Sequence, residues 1–309
     1  MEEFFITKIF YCLGIFLFIR IILSILKVIY NHFILKEVDF KKRYGDGWCI
    51  ITGGSSGIGL SYAKQFIKRG YKVLLISSNI DKLKKAKDIL INLYPKAIIE
   101  ILAYNLSISY TQEIFDDLKS KILETIKNEE ISILINNAGY ANTKYFAKQN
   151  FDEINDCLNI NTNSAVFMTK ICMENMLKKV NNKSLIVQSG SQLGIMRLQR
   201  FSIYSATKCF LEAFNSVLSI ENSDKIDFSY IEIGPVDTAL NYNDMPYKIS
   251  ADKHAENAMK FMGNYEFSGP VCLYHEFEKF LFFLPFVKKR LIKKGEMVFV
   301  KNNLNKKYQ

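Results

Sequence analysis

The sequence predicts an α/β protein built on a doubly wound parallel sheet with an N-terminal membrane helix, and three observations carry that expectation. A glycine-rich turn, Thr52 to Gly59, stands between a short apolar run, Trp48 to Ile51, and a segment of helical pattern that continues to about Arg69. Six further apolar runs then alternate with helical segments rich in lysine and glutamate: Lys72 to Ile76, Ile98 to Ala103, Ile131 to Ile135, Ser184 to Gln188, Phe228 to Ile233 and Val271 to Tyr274. Such alternation makes βαβ units with right-handed crossovers, hence a parallel sheet covered by helices on both faces. The third observation is a long apolar stretch near the start of the chain.

That stretch is unbroken from Ile9 to Ile19, resumes after Arg20 from Ile21 to Leu26 and, past Lys27, ends at Val28 and Ile29. About 20 residues rising about 1.5 Å each suffice to cross the hydrocarbon core of a bilayer. Arg20 costs about 2.5–3.5 kcal/mol at the centre of such a helix, which the surrounding Ile, Leu and Phe residues offset while its side chain reaches for the interface. Met1-Glu2-Glu3 lacks the positive start of a secretory signal and no small-x-small site follows the run, so a retained segment is expected. A spanning helix is one reading; a hairpin or an interfacial helix is the other. Lys36, Lys41, Lys42 and Arg43 follow the run, against Lys8 and two glutamates before it. This asymmetry predicts a single pass with the next domain in the cytosol.

The net charge of +10 sits at the two ends of the 309 residues. Residues 1–43 carry seven Lys/Arg against four Asp/Glu, residues 288–309 carry eight against Glu296, and 26 of each sign remain between Tyr44 and Val287. A nucleic-acid binder would place its excess on the folded domain, so no nucleic-acid partner is expected and the basic flanks are assigned to an anionic membrane face. A solvated basic tail without a partner is the other reading of the C-terminal cluster. Three regions follow: an anchor with its basic flank over 1–43, one large domain over 44–275, and an apolar-basic segment over 276–309. Six cysteines without Cys-x-x-Cys spacing fit a reducing compartment, and His32, His254 and His275 lack zinc spacing, so no metal site is expected.

Strand, glycine turn and helix together make the setting a dinucleotide needs. Glycines let the backbone approach a pyrophosphate, and the helix start offers unpaired N–H groups and a positive dipole end. Gly53, Ser55, Ser56, Gly57, Ile58 and Gly59 are the candidate contacts.

The chain resembles the short-chain dehydrogenase/reductase family over roughly residues 47–275. Thr52 to Gly59 matches Thr-Gly-x-x-x-Gly-x-Gly, Asn136-Asn137-Ala138-Gly139 matches Asn-Asn-Ala-Gly at the end of the fourth strand, and Tyr204-Ser205-Ala206-Thr207-Lys208 matches Tyr-x-x-x-Lys. Ser191 stands thirteen residues before Tyr204 and Asn161 lies in Asn159 to Ser164, at the places of the family's catalytic serine and asparagine. The resemblance implies a Rossmann-type fold and hydride transfer between a nicotinamide dinucleotide and a carbonyl or alcohol. Tyr204 and Lys208, one helical turn apart, share a face, and the ammonium is expected to depress the phenol pKa toward working pH. By resemblance, Tyr204 transfers the proton, Ser191 bonds the substrate oxygen, Lys208 also holds the nicotinamide ribose, and Asn161 holds a water that relays protons. Ser189 is the fallback for Ser191. Asn137, Ala138 and Gly139 line the cofactor, and Val236 and Thr238 of Gly234-Pro235-Val236-Asp237-Thr238 meet the nicotinamide amide. Ile233 replaces the family's leading proline there, which leaves the turn less rigid.

After the second strand, Ser77-Ser78-Asn79 holds no acid for the ribose hydroxyls of NAD, which favours NADP (NADPH), although the arginine that NADP-using relatives carry at Ser78 is missing too. Ser78, Asn79 and Lys82, with Lys85, are the candidates near a 2′-phosphate, and Asn105 stands where relatives place an adenine-binding aspartate. The anchor, the Tyr44 to Trp48 entry and the Leu75 to Asn79 strand end most resemble endoplasmic-reticulum enzymes of lipid metabolism. These are the microsomal very-long-chain 3-ketoacyl-CoA reductases and 17β-hydroxysteroid dehydrogenases, with 3-ketodihydrosphingosine reductases beside them. Phe277 to Val287, rich in Phe and Leu and followed by Lys288 to Lys294, is read as an interfacial segment or as a helix over the pocket. Lys306-Lys307-Tyr308-Gln309 resembles a dilysine retrieval signal. A lipid-like substrate at the membrane is the leading expectation, and since dimers or tetramers are common in the family it resembles, a homodimer is the assembly considered. An NAD-dependent steroid or retinol dehydrogenase and a silent, tethered cofactor binder are the alternatives.

Overall fold

The structure, a computed structural model, describes residues 2–238, 248–264, 268–273 and 275–277. By packing it divides into two compact units, Met1–Lys36 and the chain from Glu37 onward. The first is α1 (Glu2–Ile29), continued by a π-turn over Tyr30–Ile34. The helical stretch Phe4–Ile34 is long and apolar enough to cross a membrane, and none of its apolar window is buried within the chain. Beyond Phe277, the segment read as interfacial or as a helix over the pocket, and the dilysine-like tail, lie outside the described residues.

The second unit opens with α2 (Phe40–Tyr44), capped by Asp39, whose Oδ1 accepts from Lys42 N at 3.0 Å. Phe40 and Tyr44 are buried, so the basic flank from Glu37 packs with this unit. There follow β1 (Trp48–Thr52), α3 (Gly57–Lys68), β2 (Lys72–Ser77), α4 (Ile80–Leu93), β3 (Ile99–Ala103), α5 (Gln112–Thr125) and β4 (Ile131–Asn136). The second half comprises α6 (Phe151–Leu158), a π-turn over Asn159–Asn163, α7 (Ser164–Met176), β5 (Ser184–Ser189), α8 (Gln192–Met196), α9 (Ser202–Glu221) and β6 (Ile226–Glu232). It closes with β7 (Val236–Asp237), β8 (Ile249–Ser250), α10 (Ala251–Met259) and β9 (Ser268–Pro270).

Seven parallel strands form the main sheet in the order β3-β2-β1-β4-β5-β6-β9. Every residue of β1, β4 and β5 is buried, which is why these strands read as continuous apolar runs and not as alternations. One face packs Ile50, Leu74, Leu134 and Ile186 against Leu118 and Ile122 of α5 and Met168 and Cys172 of α7. The strand order reverses between β1 and β4, and a parallel sheet opens a crevice at the carboxyl ends of its strands at such a switch point.

The last strand lies three residues before the expected Val271 to Tyr274. β9 pairs Ser268, Gly269 and Pro270 with Tyr230, Ile231 and Glu232, and the chain then turns helical, Glu276 N donating to Cys272 O at 3.2 Å. Apolarity marked Val271 correctly as buried, but main-chain pairing had already ended at Pro270.

Candidate active site

At the carboxyl end of β1 the turn into α3 is held open for close approach. Gly53 and Gly57 take φ of +65° and +55°, and a Cβ on Gly59 would fall 2.3 Å from Gly53 O. Among helices α2 to α6, α3 alone lacks a side-chain cap: Asp39, Asn79, Thr111 and Asn150 cap the others, whereas Ser56 makes no capping bond. Its first-turn N–H groups therefore stay available to an anion, so the turn fits a dinucleotide pyrophosphate. Thr52 joins this turn to the next strand end, its Oγ1 accepting from both Asn137 N and Ala138 N at 3.0 Å. Asn137 Nδ2 donates to Thr52 O at 3.1 Å. Ser55 bonds Ser77 at 3.1 Å, Ile58 stands in the first turn of α3, and Thr238 Cγ2 would lie 3.3 Å from a Cβ on Gly57. Val236 is buried beside it.

On the adenosine side Ser78 and Asn79 are exposed, and Asn79 Oδ1 is committed to capping α4 through Lys82 N at 2.8 Å. Lys82 and Lys85 are exposed and make no ion pair among the described residues, with Asp81 in the same helix start. Asn105 Oδ1 accepts from Ser107 N and Oγ at 3.1 and 3.0 Å, which folds the strand end into a local turn.

The catalytic candidates meet at the carboxyl ends of β4 and β5. Tyr204 and Lys208 stand on α9 and are 9% and 3% exposed. Ser191 caps α8, its Oγ accepting from Leu193 N at 3.2 Å, which leaves its own proton to donate. Gly139 lies within reach of both Asn161 and Lys208, since a Cβ there would be 3.6 Å from Asn161 Oδ1 and 4.0 Å from Lys208 Nζ. Asn161 sits in the π-turn after α6, a distortion common at functional sites. Its side chain clasps Tyr140, accepting from Tyr140 N and donating to Tyr140 O, each at 2.8 Å. With both ends so used, any water-holding role falls to its main chain.

The Tyr204 phenol shifts in the direction opposite to that expected from a neighbouring ammonium: burial pushes it up to about 12, with Ser191 pulling the other way. The ammonium instead donates to Ser189 O at 2.7 Å and stands 5.5 Å from the Tyr204 ring centroid, and burial draws its pKa down to about 8. Shared helix face predicted proximity, but the direction of Nζ is decided by a carbonyl nineteen residues away in sequence. Ser189, the fallback for the serine, contributes its carbonyl, while its hydroxyl is buried with no partner among the described residues. The turn at Ile233, expected to be slack, is held: Gln192 N donates to Ile233 O at 3.0 Å, and a Cβ on Gly234 would fall 2.4 Å from the His275 ring.

Thr52 and Tyr230 escaped sequence reasoning as separate site residues. Thr52 was visible as the last residue of β1; Tyr230 carried no local signal.

A model of the short chain dehydrogenase family matches residues 47–247. The chain belongs to the short-chain dehydrogenase family. Such proteins are oxidoreductases acting on CH–OH and C=O groups. Among curated relatives, "Putative steroid dehydrogenase 2" of Caenorhabditis elegans is 30% identical over 94% of this chain and 91% of its own length. The very-long-chain 3-oxoacyl-CoA reductase of Rattus norvegicus is 33% identical over 59% of this chain and 56% of its own. A solved short-chain dehydrogenase from Sphingobium yanoikuyae in complex with NADPH superposes with a TM-score of 0.61 at 25% identity, over 69% of this chain and 82% of that one.

Proposed function

We propose that this dehydrogenase reduces a keto group on a lipid substrate, a 3-ketoacyl-CoA or a ketosteroid, using NADPH at the endoplasmic reticulum membrane. The carrying observation is the convergence of Ser191, Tyr204 and Lys208 beside an uncapped glycine turn. The names of its relatives, a 3-oxoacyl-CoA reductase and a steroid dehydrogenase, supply the substrate class. Exposed Lys82 and Lys85, with no acid at Ser77 to Asn79, favour a 2′-phosphate.

A nicotinamide held in this site would supply hydride. Tyr204, whose buried phenol keeps its proton at neutral pH, is set as a donor to the carbonyl oxygen. Ser191 directs its hydroxyl proton at the same oxygen and stabilises the charge that develops there. Lys208 keeps two ammonium protons beyond its bond to Ser189 O for the cofactor ribose. Gly53, Ser55, Ser56, Gly57, Ile58 and Gly59 with Asn137, Ala138 and Gly139 form the cofactor bed, and Asn161 orders the Tyr140 main chain beside it. The apolar helix Phe4–Ile34 anchors the enzyme in a single pass, with the catalytic unit in the cytosol as a homodimer.

Nucleotide oxidation by detergent-solubilised full-length protein tests this, comparing NADPH with NADH on a long-chain 3-ketoacyl-CoA, 3-ketodihydrosphingosine and a 17-ketosteroid. Turnover of one lipid with NADPH is expected. NADPH binding without turnover of any of the three would replace this reading with that of a silent binder.

A further inference from the structure

Tyr230 lies within β6, 2% exposed, and has no part in the chemistry above. Its phenol donates to Lys208 O at 3.1 Å and accepts from Ser191 N at 3.4 Å. One partner is the main chain of the helix that carries Tyr204 and Lys208; the other is the main chain of the serine whose hydroxyl faces the substrate. The hydroxyl end of the ring is also held by close packing against Gly190. A Cβ on Gly190 would fall 2.2 Å from Tyr230 Cζ and 2.5 Å from its hydroxyl oxygen, so position 190 accepts nothing larger than glycine while this ring is in place.

We propose that Tyr230 is a positioning residue for the reduction, a strut between the end of β5 and α9 that sets the spacing of the Ser191 hydroxyl from the Tyr204–Lys208 pair. Another bond joins the same two segments, from Lys208 Nζ to Ser189 O. That bond uses the ammonium which the reductase reading, on which this inference rests, assigns to the cofactor ribose. With the ammonium shared between Ser189 O and the ribose, the phenol strut is the link between the two segments that uses no group assigned to the cofactor. Burial raises the Tyr230 phenol above its ordinary value, so it remains a donor at every working pH.

Tyr230→Phe retains the ring against Gly190 and removes only the strut. Its control is Tyr71→Phe, another phenol at 2% exposure that donates one bond, to Phe40 O at 2.9 Å, far from the site. Both variants are expected to lower the melting temperature by a similar few degrees. Tyr230→Phe alone is expected to lower kcat about tenfold, with KM for the ketone changed less than about twofold, and to weaken NADPH binding several-fold in a fluorescence titration. Wild-type kcat in Tyr230→Phe, or an equal loss in Tyr71→Phe, overturns the strut. Gly190→Ala gives a second route, because its methyl displaces the ring. Its loss in kcat and that of Tyr230→Phe should not multiply in the double variant, and multiplication would mean that the two act separately. If the wild type turns over none of the ketones, the reductase reading falls, and NADPH affinity still decides the strut: equal affinities in Tyr230→Phe and Tyr71→Phe refute it.

Discussion

Lys179 and Lys208 are both nearly inaccessible, at 5% and 3% exposure, and stand at opposite ends of the central strands. At the amino end the Lys179 ammonium spends all three protons, on Tyr44 O at 2.7 Å, Lys183 O at 3.1 Å and Ser132 Oγ at 3.2 Å. At the carboxyl end Lys208 has one oxygen partner among the described residues, Ser189 O. Burial pulls both below the ordinary lysine value. The same desolvation is answered in one place by the fold and in the other only in part, which leaves donors for a ligand. Burial of a cation therefore does not mark a functional site; a buried cation with donors to spare is the better marker.

The largest expected effect separates the two lysines by function. Tyr204→Phe and Lys208→Met should each lower turnover about 10²–10⁴-fold in folded protein, whereas Lys179→Met should leave kcat within about twofold. In denaturant titrations the order reverses. Lys179→Met should lose about 2–5 kcal/mol, because Tyr44 O, Lys183 O and Ser132 Oγ each lose a charge-assisted bond in a buried place. A Lys179→Met protein of full stability would erase the distinction.

A smaller effect follows from titration. The folded pKa of Lys208, about 8, lies below the ordinary 10.5, so the folded state sheds this proton first and stability from this group rises as pH goes from about 8 to 10.5. Lys208→Met should thus be more stable than wild type at pH 7, by on the order of 3 kcal/mol before lost contacts, and the gain should vanish above about pH 10.5. Melting temperatures across that range check the sign.

The smallest effect asks whether a neutral group obeys the same rule. His254, fully buried between α3 and α10, shares one bond with the Tyr62 hydroxyl at 3.2 Å, and its Nδ1 has no hydrogen-bond partner among the described residues. Burial holds its pKa down to about 3, so it is neutral when folded, and the unfolded chain takes up the proton first as pH falls below 6.5. Stability from this group is complete above pH 6.5 and is lost progressively toward pH 3. His254→Gln should flatten the melting curve between about pH 6.5 and 5, above the range where carboxylates titrate, with no change in kcat. A loss of kcat would place the α3–α10 seam in the catalytic machinery.

Much of the site was legible because its chemistry is local. Strand, glycine turn and helix at Trp48 to Arg69, and the one-turn spacing of Tyr204 and Lys208, follow from short-range geometry, and the structure brings these residues together with Asn137 and Asn161. Ser191 was legible only through family resemblance, since a serine after a strand is an ordinary turn residue. The Tyr204 phenol moved opposite to expectation because burial, a property of the whole packed domain, outweighs a neighbour whose charge points elsewhere. The final strand was misplaced by three residues because burial and main-chain pairing ended at different positions.

By itself the sequence determined the alternation of strands and helices, the apolar helix at its start and the glycine turn that receives a dinucleotide, because periodicity and backbone freedom are written over a few consecutive residues. Tertiary structure alone decided which lysine is saturated, which carbonyl holds Lys208 and that Tyr230 bridges Ser191 and Lys208. These depend on hydrogen-bond partners brought together across long stretches of chain, as Lys179 and Tyr44 are across 135 residues, and no local pattern records such meetings.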